Sequence, residues 1–298
     1  MKTRIILFLI GIITIVPSVA QHGNQQEAMK KRYAQMLEQE REEAKTYYAG
    51  ADTAQYGIRY LWTYLYDKEQ KRSYKENRIV LVAPSVTLDM SYQSIGEKKS
   101  MENNLKTGTN TRDSSLVYRL TPSFYFYYPA EKRLKRTYRI ISDEFLLKDT
   151  VVNNTWTFTD EEKMIGGYHC KKAYCVSRGR KWQAWYTSDL PYVAAPRQLV
   201  GLPGVVLEAS DENEEIKWQF EGYVSCDAEN RFYLKFPDKF SDIPVEKFPL
   251  ILNLFALSGS NYIEGAKVLD KSTKALPEKL KPSTGIDACR ITNFIELE

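Results

Sequence analysis

The chain has 298 residues and only two histidines, His22 and His169, so a mechanism built on two or three imidazoles has almost no material to work with. Four cysteines, Cys170, Cys175, Cys226 and Cys289, are the remaining soft ligands. His169 and Cys170 with one further thiol would make a copper or zinc set, but adjacent residues of a strand point to opposite faces. No cysteine spacing is that of a zinc ribbon or a CxxC pair. Carboxylates gather at Asp160-Glu161-Glu162 and at Asp211-Glu212-Asn213-Glu214-Glu215, where turns are expected. Two of them sharing a cleft would suit glycosidase-type hydrolysis, though nothing in the sequence selects a pair. GxSxG, P-loop, GxGxxG and HExxH segments are all missing. No catalytic residue, metal site or cofactor is therefore assigned, and the expectation is a binding or carrier protein that is not an enzyme. A metal-handling protein using His169 with Cys170 or Cys175 and an envelope hydrolase with a carboxylate pair are the alternatives.

Aromatic residues are the more abundant material, with 21 Tyr, 12 Phe and 5 Trp. If one face of a sheet holds an apolar or peptide ligand, Tyr125, Trp185 and Trp218, together with Trp62, are the expected lining. The tract Phe124-Tyr125-Phe126-Tyr127-Tyr128 is aromatic on both faces, so one face is core and the other needs a cover or a ligand. Lys132, Arg133, Lys135, Arg136 and Arg139 follow closely. Such a group suits an anionic headgroup or a phosphate, although a solvated strand or turn is the plainer account.

The elements that position these residues are mostly strands. With a period of two, Ile58, Tyr60, Trp62, Tyr64 and Tyr66 interleave with Arg59, Leu61, Thr63, Leu65 and Asp67. Val86, Leu88, Met90 and Tyr92 do the same, and so do Ile216, Trp218, Phe220, Gly222 and Val224, an apolar face that extends to Cys226. Arg178-Gly179-Arg180 reads as a tight hairpin turn. Before the strands, residues 25–48 carry an amphipathic helical stripe of Met29, Tyr33, Met36, Glu40, Ala44 and Tyr47. Residues 244–257 suit a short helix and 291–298 a last strand. The fold class expected is mainly β: a curved antiparallel sheet, half-barrel or barrel-like, with an N-terminal amphipathic helix and a short C-terminal helix. Residues 21–52 form the charged helix and 53–298 a single β-rich domain.

Residues 1–20 read as a secretory signal peptide. Lys2 and Arg4 precede an apolar run over 5–16, and Pro17-Ser18-Val19-Ala20 offers small residues before Gln21. The run is shorter than the roughly 20 residues of a membrane span. An extracytoplasmic location follows: periplasmic, outer-membrane associated or secreted. Removing the peptide takes two positive charges and no acids from a net charge of +4, leaving a nearly neutral protein. Nucleic acid is disfavoured as a partner on that ground, and no other segment is long and apolar enough for an integral membrane protein. In an oxidising compartment the four cysteines are expected to form structural disulfides or to stay as buried thiols.

Three co-linear blocks carry a resemblance. Gly166-Gly167-Tyr168-His169-Cys170-Lys171-Lys172-Ala173 comes first, followed by Arg178-Gly179-Arg180 with Trp182-Gln183-Ala184-Trp185-Tyr186-Thr187 and Leu190-Pro191. Last is Gly201-Leu202-Pro203-Gly204-Val205-Val206-Leu207-Glu208-Ala209. In order, these resemble the GLPGLI family of exported Gram-negative envelope proteins, over roughly residues 56–298. Val205-Val206 replaces the family's Leu-Ile, and Ala195-Pro196-Arg197-Gln198 departs from its upstream Gly-Pro segment. The resemblance implies a non-catalytic envelope component associated with a TonB-dependent outer-membrane receptor. The residues themselves give Gly201, Leu202, Pro203 and Gly204 a structural role: two glycines bracketing a Leu-Pro allow a sharp re-entry of the chain into a strand.

Overall fold

The computed structural model describes residues 22–69, 71–93, 95–96, 100, 103–104, 123–140, 143–227 and 231–242. Helix α1 (His22–Tyr47) is built from strong helix formers, close to the expected span. Its C-terminal end is tied down: Tyr48 stacks on Tyr233 with centroids 5.1 Å apart, and Lys235 donates from Nζ to the Tyr47 carbonyl at 2.8 Å.

The strands are β1 (Asp52–Thr53), β2 (Tyr56–Asp67), β3 (Arg72–Val82), β4 (Thr87–Ser91), β5 (Ser123–Tyr128), β6 (Arg133–Ile140), β7 (Asp143–Val151), β8 (Thr157–Ile165), β9 (Tyr168–Ser177), β10 (Arg180–Thr187), β11 (Val205–Asp211), β12 (Ile216–Ser225), β13 (Tyr233–Leu234) and β14 (Ser241–Asp242). Twelve of them form one sheet in the order β14-β7-β6-β5-β4-β3-β2-β12-β11-β10-β9-β8, while β1 and β13 pair separately. Every neighbour in the large sheet is antiparallel except β14 on β7. The mainly antiparallel fold is thus present as an open sheet, with β14 and β8 at its ends. The signal peptide, the helix expected at 244–257 and the strand expected at 291–298 lie outside the described residues.

Antiparallel hairpins explain the order. The β8–β9 turn uses Gly166 and Gly167, and the β9–β10 turn uses Arg178 and Gly179, all four at positive φ. Positive φ at both turn positions matches the right-handed twist of the flanking strands.

Both faces of the sheet are covered. One, the Trp face, buries Ile58, Tyr60, Trp62 and Tyr64 of β2 with Tyr125, Trp182, Leu207 and Trp218. The opposite face buries Ile79, Leu81, Leu88, Phe126 and Val224 with Ala54 and Leu234. The aromatic tract of β5 is therefore core on both sides, Tyr125 on one and Phe126 on the other. Of the cations that follow it, two lie over rings on different sides: Lys135 is 5.5 and 4.8 Å from Tyr128 and Phe236, and Arg136 is 5.8 Å from Tyr125.

The unbroken alternation expected through β12 is corrected by a bulge. Phe220 faces Tyr60 and Gly222 faces Arg59, so Glu221 is the extra residue. Gly222 makes this possible with φ +133°. Beyond the bulge the faces exchange: Val224 and Cys226 join the opposite core, not that of Trp218. The extruded Glu221 carboxylate accepts from Asn77 Nδ2 at 2.9 Å and Arg59 Nη2 at 3.3 Å.

Between β10 and β11 the chain crosses the Trp face as a strap, burying Ala194, Ala195, Leu199, Val200 and Leu202. Asn154 Nδ2 donates to the carbonyls of Gln198 and Val200 at 2.6 and 3.0 Å, and Trp156 Nε1 donates to Val200 at 3.0 Å. Gly201 has φ +103°, and a Cβ on Gly204 would collide with the Thr187 backbone. The re-entry expected of Gly201-Leu202-Pro203-Gly204 is what this geometry accomplishes: Leu202 is buried and β11 starts at Val205.

Candidate functional site

Under the strap, the Trp face holds a buried arginine and tryptophan centre. Glu76 and Arg78 of β3, Asp89 of β4 and Tyr125 of β5 meet Trp62 of β2 and Trp218 of β12 there, because each occupies an alternate position facing the same side. Arg78 is fully buried and satisfied: Nε donates to Asp89 Oδ1 at 2.7 Å, Nη1 to Glu76 Oε2 at 3.3 Å and Nη2 to the Ser123 carbonyl at 3.2 Å. Burial works against its charge, yet Asp89 and Glu76 hold its pKa above the ordinary value. These two carboxylates share one guanidinium, which is a structural ion-pair geometry.

The strap inserts Arg197 into this centre. Its backbone N–H donates to Asp89 Oδ2 at 3.1 Å, while its guanidinium lies 4.1 Å from the Trp62 ring centre, 4.9 Å from Tyr125 and 5.5 Å from Trp218. Trp62 and Trp218 are partly stacked, with centroids 6.2 Å apart, and Trp182 is tilted against Trp218 at 5.7 Å. Of the ligand-lining residues expected from sequence, Tyr125 and Trp218 are thus together, on either hand of the chain's own Arg197. Trp185 is elsewhere. Alternation along β10 buries Trp182 and Ala184 and turns Lys181, Gln183 and Trp185 the other way. Trp185 is flanked by Lys163 at 4.4 Å and Lys172 at 5.4 Å, and Lys163 pairs with Glu208. A cavity lined jointly by Tyr125, Trp185 and Trp218 is therefore corrected by the period of the strand.

A second feature, not singled out in the sequence, is a tyrosine surface at the rim of the Trp face. Tyr56 and Tyr192 stack with centroids 4.1 Å apart and rings 15° from parallel. Tyr168 meets Tyr223 edge to face at 5.7 Å, and Phe220 lies 5.0 Å from Tyr223. Tyr56 and Tyr223 are 39% and 36% exposed, so their rings are open to a ligand. Burial, reinforced by the neighbouring Tyr168 and Tyr56, pushes the Tyr192 phenol up to about 12. Burial likewise raises Tyr223, with Tyr192 and Tyr168 adding to the effect. Tyr56 also walls an open groove of about 620 Å³ completed by residues 51–55, Pro84 and Cys226. The bulge at Gly222 is what turns Tyr223 toward this rim, a shift of register that alternation alone does not reveal.

His169 is on the exposed side of β9, its Nε2 3.0 Å from Glu162 Oε2, while Cys170 is fully buried. The two adjacent ligand types do not converge, and among the described residues no three His, Cys, Asp or Glu side chains gather as a metal set. Of the two states expected for the cysteines, disulfide or buried thiol, Cys170 and Cys175 take the second; Cys289 lies outside the described residues. Among the described residues no helix is long and apolar enough to cross a membrane.

A family model described as "N-glycanase peptide, N-terminal domain" matches residues 70–218. Two solved structures of PNGF-II, in C2 and P21 crystals, are each 16% identical with a TM-score of 0.42. They cover 66% and 65% of this chain, which spans 32% of theirs. The search of curated proteins found no match. The family match corrects the GLPGLI resemblance, because Gly166–Ala173 and Gly201–Ala209 fall inside or at the heart of the matched span. Association with a TonB-dependent receptor, implied by that resemblance alone, loses its support with it. The expectation that the protein is not an enzyme is corrected too, since the matching family is enzyme-related.

Proposed function

We propose that this chain, which belongs to the family of N-glycanase N-terminal domains, is an exported glycan-handling domain that engages carbohydrate on glycoproteins through its tyrosine rim. The family description supports the glycan class. The observation that carries the site is the paired stack of Tyr56 on Tyr192 beside the exposed Tyr223. A sugar offers a flat C–H face and a fringe of hydroxyls, and a tyrosine meets both, with an apolar ring and a polar tip. The raised phenols of Tyr192 and Tyr223 stay protonated at neutral pH and keep their O–H donors. Export rests on the basic start, the apolar run and the small residues before Gln21.

Titration calorimetry with an N-glycopeptide and its deglycosylated counterpart tests the site. The glycosylated form should bind, and Tyr56→Ala and Tyr223→Ala should each weaken it about tenfold, roughly 1.4 kcal/mol, with little change in Tm. Equal binding of the two peptides would overturn the glycan reading. N-terminal sequencing of protein from the cell envelope should begin at Gln21, and recovery of the intact N-terminus from cytoplasm would overturn export.

A further inference from the structure

Two of the buried guanidinium groups, those of Arg78 and Arg180, are provided with carboxylate acceptors. Arg78 has a carboxylate, a second carboxylate and a carbonyl, and Arg180, 6% exposed, has Asp211 at 2.8 Å and Glu215 at 3.4 Å. Arg197 is only 2% exposed and breaks the pattern: among the described residues, neither Nε nor Nη1 has a hydrogen-bond partner. Its guanidinium carbon lies over the Trp62 and Tyr125 rings, contacts that leave the Nε and Nη1 donors without an acceptor. Asp89 does not answer it, since its oxygens serve Arg78 Nε and the backbone N–H of Arg197.

The neighbours share the deficit. Trp62 Nε1 and Trp218 Nε1, donors without acceptor capacity, also lack partners among the described residues, as do both side-chain amide atoms of the fully buried Gln198. The backbone adds an independent sign. Arg197 sits at φ +49°, a left-handed conformation uncommon for a residue with a side chain, in a turn closed by the Leu199 N–H on the Pro196 carbonyl at 3.1 Å. Strained backbone of this kind persists where the surroundings impose it, and it concentrates at binding sites. A buried cation and several buried donors with no acceptor are costly unless something supplies one.

We propose that this centre is a buried binding site for a single oxyanion, a carboxylate, sulfate or phosphate group, received edge-on by the Arg197 guanidinium. Two parallel N–H donors on the guanidinium edge match two oxygens of such a group, and the indole donors suit the same acceptor-only chemistry. Three rings, Trp62, Tyr125 and Trp218, lie within 5.5 Å of the guanidinium carbon and confine the group that would receive the anion. This site is distinct from the tyrosine rim, and it does not rest on the glycan reading. Two sources offer the group: an inorganic anion, or the carboxylate of an acidic sugar.

Thermal shift at constant ionic strength, using sodium sulfate, sodium phosphate, glucuronate and N-acetylneuraminate against neutral glucose, tests it on the full chain. At least one oxyanion should raise Tm saturably while glucose does not. Inorganic anions acting alone would identify the first source, and sugar carboxylates acting alone the second. Arg197→Lys, which keeps the charge but loses the fork, should weaken binding at least tenfold. Because a substitution here can disturb the strap, a second measurement needs no variant: crystals soaked in selenate should give an anomalous peak within hydrogen-bond distance of Arg197 Nε or Nη1. No oxyanion-specific shift and no peak at Arg197, or a carboxylate of the chain itself seated there, would overturn the proposal.

Discussion

Burial of single side chains decides the chemistry of the thiols. Cys170 and Cys175 are both buried, and burial pushes their pKa values to about 11 and about 12, from an ordinary value of 9.0. Thiolate is scarce at neutral pH, so both should resist alkylation in the native protein and react after unfolding in urea, as counted by mass spectrometry. The same shifts set a pH dependence. A thiol whose native pKa is raised favours the folded state fully below its unfolded value near 9, and that contribution is lost as pH rises through 11 and 12. Tyr192, raised from 10.0 to about 12, acts in the same direction. Urea midpoints should therefore fall steadily from pH 9 upward; a flat profile to pH 11 would contradict the burial of these groups. Sequence reading found the cysteines but not their state, because pairing depends on which strand faces which.

At the scale of elements, the strap and the β12 bulge each hang on a glycine. An alanine at Gly204 would place its Cβ against the Thr187 carbonyl oxygen and within 2.8 Å of its carbon, both backbone atoms that yield poorly. Overpacking of this kind costs about 1–3 kcal/mol, and Gly204→Ala should lower the unfolding free energy by the upper part of that range in urea titration. Gly222 differs: its Cβ would meet nothing within 4 Å, so only its φ of +133° resists substitution. Gly222→Val should cost about 1–3 kcal/mol through backbone strain and, by disfavouring the bulge, reduce the exposure of Tyr223. The motif Gly201-Leu202-Pro203-Gly204 was legible as a re-entry because its two glycines permit backbone that other residues resist, while Pro203 holds Leu202 extended. The bulge was not: alternation of apolar residues runs through Gly222 to Cys226 unbroken, and a one-residue shift that exchanges faces leaves no trace when both faces are apolar.

An open sheet of twelve strands exposes its edges, and the β8 edge is defended by charge. Asp160, Glu161 and Glu162 are exposed on that strand, beside exposed Phe158 and Met164, and its pairing with β9 shifts register between Phe158 and Glu162. Replacing all three acids by threonine should raise β-propensity, remove the repulsion and leave the edge free to pair with a second copy. Sedimentation velocity should then show concentration-dependent association absent from the parent protein; a monomeric variant would mean that the bulge alone protects the edge.

What the sequence determined by itself was everything written in local period and composition: the antiparallel strands, the leading helix, the two-residue turn at Arg178-Gly179 and the re-entry at residues 201–204. Those are short-range properties, because two-residue alternation, helical spacing and turn residues act on neighbours in the chain. Tertiary structure alone decided that Tyr125 and Trp218 close around Arg197 while Trp185 stands apart, that Tyr56, Tyr168, Tyr192 and Tyr223 form one surface, and that Arg197 is buried with its donor edge unanswered. These facts depend on strand order, on one bulge and on a strap joining residues far apart in sequence, and a buried cation becomes conspicuous only when the acceptors around it have been accounted for.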